Sequence, residues 1–143
     1  MPHVIVSANG FAPSAMTKSA ASSMGTANQW NIVAGWTPDP AYPGSTVSNN
    51  GLRAQGGAGA NVSAVLPFSG AGTSGNHRAR LLVNSVVVAT GPVATGTAGT
   101  MTVSANVTVS ADDLVTVETT HDVGFAGWEA SITAGVGTYV RIT

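Results

Sequence analysis

A two-residue alternation of apolar and polar side chains constrains this chain more than any other feature. Met101, Val103, Ala105, Val107 and Val109 alternate with Thr102, Ser104, Asn106 and Thr108. Val62, Ala64, Leu66 and Phe68 alternate with Asn61 and Ser63. Near the C-terminus Val136, Thr138, Val140 and Ile142 repeat the pattern and predict a third inward row. Successive side chains on an extended strand point to opposite faces, so this period buries one face and wets the other. A helix needs apolar residues three and four apart, and no such period is sustained from residue 28 onward. The expected fold class is all-β.

Short strands need turns, and turn residues fall between the runs. Asn84-Ser85 suits a two-residue hairpin, because Asn tolerates positive φ. Asn49-Asn50-Gly51 predicts a second turn with Gly51 supplying the positive φ, and Ala111-Asp112-Asp113 a third. Pro38, Pro40 and Pro43 predict a loop over 38–44, since proline cannot donate to a ladder. About ten strands result, near 28–36, 45–48, 51–55, 60–68, 77–84, 86–91, 100–110, 113–121, 128–134 and 137–143. Such strands demand a two-sheet antiparallel sandwich, and a jelly roll is the expected wiring. The domain is expected over 28–143. Residues 1–27, rich in Ala, Ser and Met with one charge at Lys18, form either an irregular first strand or an N-terminal arm lying on a neighbour. Ser19–Met24 is too short to stand as a helix.

Charge narrows the partners. Five Lys/Arg against six Asp/Glu give a net charge of −1, with no cationic stripe for a phosphate backbone, so nucleic acid is not an expected partner. No run approaches 18 apolar residues, so no membrane span is expected. The opening Met1–Val6 lacks the basic and apolar regions of a secretory signal. There is no cysteine, hence no disulfide and no thiolate metal site.

Motifs with chemical potential each meet a structural alternative. Gly70-Ala71-Gly72-Thr73-Ser74-Gly75 has dinucleotide spacing, but a strand-like run follows where a helix is required. His121-Asp122 resembles part of a catalytic triad, yet neighbours on a strand point apart and no nucleophile elbow exists. His3, His77 and His121 show no metal-ligand spacing, and Asp112-Asp113 reads as a solvated turn. The sequons at Asn61 and Asn106 lie within strands. No enzyme activity, metal or cofactor is therefore expected. Trp30 and Trp36, six apart, are expected on one face of one strand. Tyr42, Phe125 and Trp128 lie in or beside loops, as core covers or as surface-binding aromatics.

The segments Trp30 with Gly35–Thr46, Arg80–Gly91, Gly99–Ala105, Asp113–Glu118 and Gly137–Val140 together resemble small virion structural proteins of tailed phages infecting actinobacteria. They are also similar to the jelly roll of complement heads and tumour necrosis factor. The resemblance spans about 28–143. It implies a homotrimer with one sheet of each subunit turned to the three-fold axis. Val65 and Tyr139, apolar on otherwise polar faces, would lie in that sheet, either as trimer interface or as isolated surface residues. The implied role is a capsid decoration protein that binds the major capsid protein outside the shell, on a virion assembled in the host cytoplasm. The alternatives are a tail-associated protein touching tail proteins or a host-surface glycan through Tyr42, Phe125 and Trp128, and a carbohydrate-binding module.

Overall fold

The structure, a computed structural model, describes residues 10–143. Fourteen strands follow in order: β1 (Ser14–Lys18), β2 (Ser22–Ser23), β3 (Asn31–Ile32), β4 (Trp36–Pro38), β5 (Val47–Ser48), β6 (Gly51–Arg53), β7 (Ala58–Ser69), β8 (Gly75–Val83), β9 (Val86–Thr90), β10 (Ala94–Gly96), β11 (Gly99–Val109), β12 (Leu114–His121), β13 (Ser131–Ile132) and β14 (Gly135–Ile142). They form two seven-stranded antiparallel sheets, with no helix among the described residues.

β7 organises the first sheet. One edge pairs with β11 along its length, from Phe68 opposite Gly99 to Ala58 opposite Val109. The other edge takes β14 over Val62–Val65 and β13 at Phe68 and Ser69. Beyond β14 come β1 and then β4, and β13 carries β2. In the second sheet β8 and β12 pair from His77 opposite His121 to Val83 opposite Val115. β9 and β10 lie outside β8, β3 and β6 outside β12, and β5 outside β6. Between the sheets sit Val62, Leu66, Leu81, Met101, Val117 and Val140, all 0% exposed. Fully burying a side chain of this size contributes roughly 1.5–3 kcal/mol.

The alternation holds in β7 and at both ends of β11, with Thr102, Ser104, Asn106 and Thr108 exposed. It fails at Val136, expected inward but 80% exposed. The β14–β7 ladder begins only at Tyr139, and the β1–β14 register shifts at Lys18, so Val136 extends past the sandwich. The hairpin at Asn84-Ser85 forms with φ of 49° and 68°. At the second turn the positive φ falls on Asn49 and Asn50, at 49° and 61°, rather than on Gly51.

Two expectations are corrected. The run 28–36 is not one strand. β3 pairs with β12 in the second sheet and β4 with β1 in the first, so the chain crosses between sheets through Val33 and Gly35, the latter at φ 81°. Trp30 and Trp36 therefore serve different sheets: Trp30 lies 4.3 Å under the Arg80 guanidinium, while Trp36 donates its indole N–H to Val33 O at 2.8 Å. Of the two readings left open for the N-terminal segment, the described residues 10–27 pack on their own domain as a first strand. Every residue of β1 is buried, between β14 and β4, and Met16 and Met24 belong to the core. A strand covered on both faces shows no alternation, which hid it in the sequence. Residues 1–9 lie outside the described residues.

Met16→Ala should cost about 2–5 kcal/mol, the range for emptying a core site. Chemical denaturation measures it, and a loss under 1 kcal/mol would mean that β1 does not hold the core together.

Candidate functional site

Residues between the buried positions of β7 and β14 face away from the core. Val65 stands directly opposite Tyr139 across the ladder, with Thr102 of β11 on its other side and Thr17 of β1 beyond Tyr139. Both are half-buried. Arg141, two residues along the same face, lays its guanidinium carbon 3.6 Å from the Tyr139 ring centre and 5.6 Å from that of Tyr42. Such stacking is worth about 0.5–2 kcal/mol, depending on how far it is desolvated. The Arg141 Nε is buried with no hydrogen-bond partner. Tyr42, Arg141, Tyr139 and Val65 thus form a row across the outer face of the first sheet. Tyr42, grouped in the sequence with Phe125 and Trp128, belongs to this face instead.

Phe125 and Trp128 come together elsewhere, in the loop between β12 and β13. The Trp128 N–H donates to Phe125 O at 3.0 Å, closing a four-residue turn whose third position, Gly127, has φ 82°. A positive φ at that position is what a type II turn requires of glycine. The Gly72 N–H donates to Trp128 O at 2.8 Å, pinning this turn to the β7–β8 loop. The indole lies so close to Gly72 that a Cβ there would sit 2.8 Å from Trp128 Cδ2. The Phe125 and Trp128 rings are 4.9 Å apart at 45°, and remain 61% and 47% exposed. Beside them opens a cleft of ≈ 390 Å³, lined by Gly25–Ala27, His121, Val123–Gly127 and Glu129. Glu129 Oε1 accepts from the Ser23 hydroxyl at 3.0 Å. Its own backbone N–H, then Ser23, hold its carboxyl below the usual range.

His121 ties the two walls of this cleft. Its Nε2 donates to Gly25 O at 2.7 Å, and its Nδ1 accepts the Val123 N–H at 3.2 Å. Both ring nitrogens are thereby engaged. The neighbouring Asp122 turns its carboxylate to Asn76, accepting from the backbone N–H at 2.7 Å and from Nδ2 at 2.9 Å. The Asn76 backbone bond is the main cause that lowers its pKa. His121 and Asp122 are therefore each engaged apart from one another. Asp113 is likewise engaged: its carboxylate accepts from the Ser110 N–H and from Asn84 Nδ2.

Behind His121 lies His77, 0% exposed, with ring centres 4.0 Å from Phe68 and 6.2 Å from His121. Its Nδ1 donates to Ala94 O at 3.3 Å, while Nε2 is buried without a partner. Burial pushes its pKa below the usual value, opposed in part by the Ala94 carbonyl. The sequence carried the signal, since His77 heads the inward row that continues through Ala79 and Leu81.

No protein-family model matches this chain, and no curated protein matches it. A solved structure of Eiger TNF from S. frugiperda does match, with a TM-score of 0.61 at 11% identity, covering 92% of this chain and 90% of that chain. The fold is a tumour-necrosis-factor-like jelly roll. At that identity the likeness concerns the path of the backbone alone.

The jelly roll should be acid-sensitive through His77. An unfolded histidine takes up its proton near pH 6.5, whereas the buried ring resists it to lower pH. Stability is therefore undiminished above about 6.5 and falls as pH drops from there toward the folded value. His77→Phe fills the same slot without titrating and should flatten that slope in melting curves between about pH 7.5 and 5.5. An unchanged slope in the variant would remove His77 as the cause.

Proposed function

We propose that the protein is a non-enzymatic virion structural subunit, assembling as a homotrimer through the outer face of its first sheet and reinforcing a phage capsid from outside. The observation that carries the assembly is the register pairing of Val65 with Tyr139. It concentrates apolar surface on a face whose other outward positions on β11 are Thr, Ser and Asn. Clustered apolar surface marks contact, and cyclic closure lets copies cover the same patch on each other. The likeness to the Eiger TNF fold supports a jelly roll suited to such closure.

The capsid assignment is supported by the sequence resemblance over 28–143 and by the match between a trimer and the local three-fold positions of an icosahedral shell. An arm lying on a neighbour cannot comprise all of 1–27, because Ala12 bridges Gln55 and residues 14–24 help build the sheet and core. Stoichiometry on purified particles separates shell from tail, since a shell protein is present in many copies and a tail protein in few.

Val65→Arg places a charge at the centre of the patch while leaving the core face untouched. Native mass spectrometry should show the unaltered protein as a trimer and the variant as a monomer. Its β-rich circular-dichroism spectrum should match that of the parent, while its melting temperature falls by the share that assembly contributes. A monomeric parent protein at micromolar concentration would sink the assembly reading.

A further inference from the structure

We propose that the cleft beside Phe125 and Trp128 binds a neutral or amino-bearing hexose unit of a polysaccharide. This goes beyond the assembly role and does not depend on it. At ≈ 390 Å³ the cleft falls within the roughly 300–1,000 Å³ typical of small-ligand sites. Its aromatic wall is Phe125, and that ring is preorganised: the Phe125–Trp128 turn is closed by its own hydrogen bond, Trp128 O is bonded to Gly72 of the next loop, and the Trp128 ring lies 4.9 Å from that of Phe125. Rings held in place before binding spare the ordering cost that flexible loops incur. The apolar C–H face of a pyranose can stack on the Phe125 ring, while its hydroxyls reach the backbone groups of the glycine-rich wall at Gly25, Gly124 and Gly127.

Charge selects among sugars. The lining holds the Glu129 carboxylate and no lysine or arginine. Both ring nitrogens of His121 are taken, Nε2 by Gly25 O and Nδ1 by the Val123 N–H, so neither is free to bond a ligand. Glu129, oriented by Ser23, accepts from hydroxyl or ammonium groups and repels uronic acids, sulfates and phosphates. Area argues against a protein in this place. Two half-exposed aromatic rings offer on the order of 200 Å², against about 800 Å² per partner in a standard interface.

Saturation-transfer NMR with soluble oligomers of glucose, galactose, mannose, N-acetylglucosamine and glucosamine tests the site, with oligogalacturonate as the anionic arm. At least one neutral or amino sugar should bind and oligogalacturonate should not. Phe125→Ser should weaken binding about tenfold or more without altering melting, since Phe125 is mostly exposed. Glu129→Gln should reduce the preference for glucosamine. Val65→Arg should keep the per-subunit affinity, which separates this site from the trimer. The proposal is overturned if no sugar binds, if oligogalacturonate binds best, if Phe125→Ser changes nothing, or if that variant loses particle attachment while keeping sugar affinity.

Discussion

A strand of twelve residues that crosses the middle of a sheet must find backbone partners on both edges, and β7 is that strand. β11 satisfies one edge along nearly its whole length, and β14 with β13 satisfies the other. With both edges fixed, only the direction of the side chains is left open, and the core removes that freedom. Val62, Ala64, Leu66 and Phe68 must face inward, so Asn61, Ser63 and Val65 must face out. A slip of one residue would exchange the two rows and bury the polar set. The meeting of Val65 with Tyr139 is thus a consequence of core packing by Ala64 and Leu66, one position away on either side.

What could be read in the sequence follows from this. Where one face is buried and the other wet, as in β7 and β11, the pattern was legible down to individual residues. Val65 and Tyr139 stood out because they break it. Where both faces are covered, as in β1, no pattern exists, and strand and arm could not be told apart. Trp30 and Trp36 misled for a different reason. Six-residue spacing implies a shared face only along an unbroken strand, and Gly35 at φ 81° marks where the chain leaves one sheet for the other. Loop aromatics lay beyond reach because spacing does not say where a loop lands. Phe125 and Trp128, joined by a local turn, came together, whereas Tyr42 folded back onto Arg141.

The scarcity of charge acquires a structural meaning once each cation is located. Lys18 donates to Ala20 O and lies 5.9 Å from the Trp36 ring, and Arg53 bonds Ser48 and Asp112 O. Arg78 donates to Gly91 O, Arg80 pairs with Glu118 and stacks on Trp30, and Arg141 stacks on Tyr139. All five Lys and Arg are committed within the domain. The Arg80–Glu118 ion pair is only partly buried and contributes about 0–1 kcal/mol, so the larger effect of these contacts is on position, holding aromatic rings and loop carbonyls in fixed places. The surface that remains offers apolar contact and hydrogen bonds rather than a field.

That leaves two surfaces of different kind, and their placement makes them compatible. The Val65–Tyr139 row lies on a sheet face, at mid-strand, whereas the Phe125–Trp128 cleft lies among loops where β7 turns toward β8 and β12 toward β13. Closing copies through a face leaves the loop ends open, and rotational symmetry would set three clefts at one end of the assembly. In the proposed site a neutral sugar held by the Phe125 ring and one carboxylate would bind weakly by itself. Three sites on one rigid body, meeting a polysaccharide that repeats its unit, turn later contacts into intramolecular ones and multiply the retention. The shape that hides the sticky face is therefore the same shape that would make a weak cleft effective.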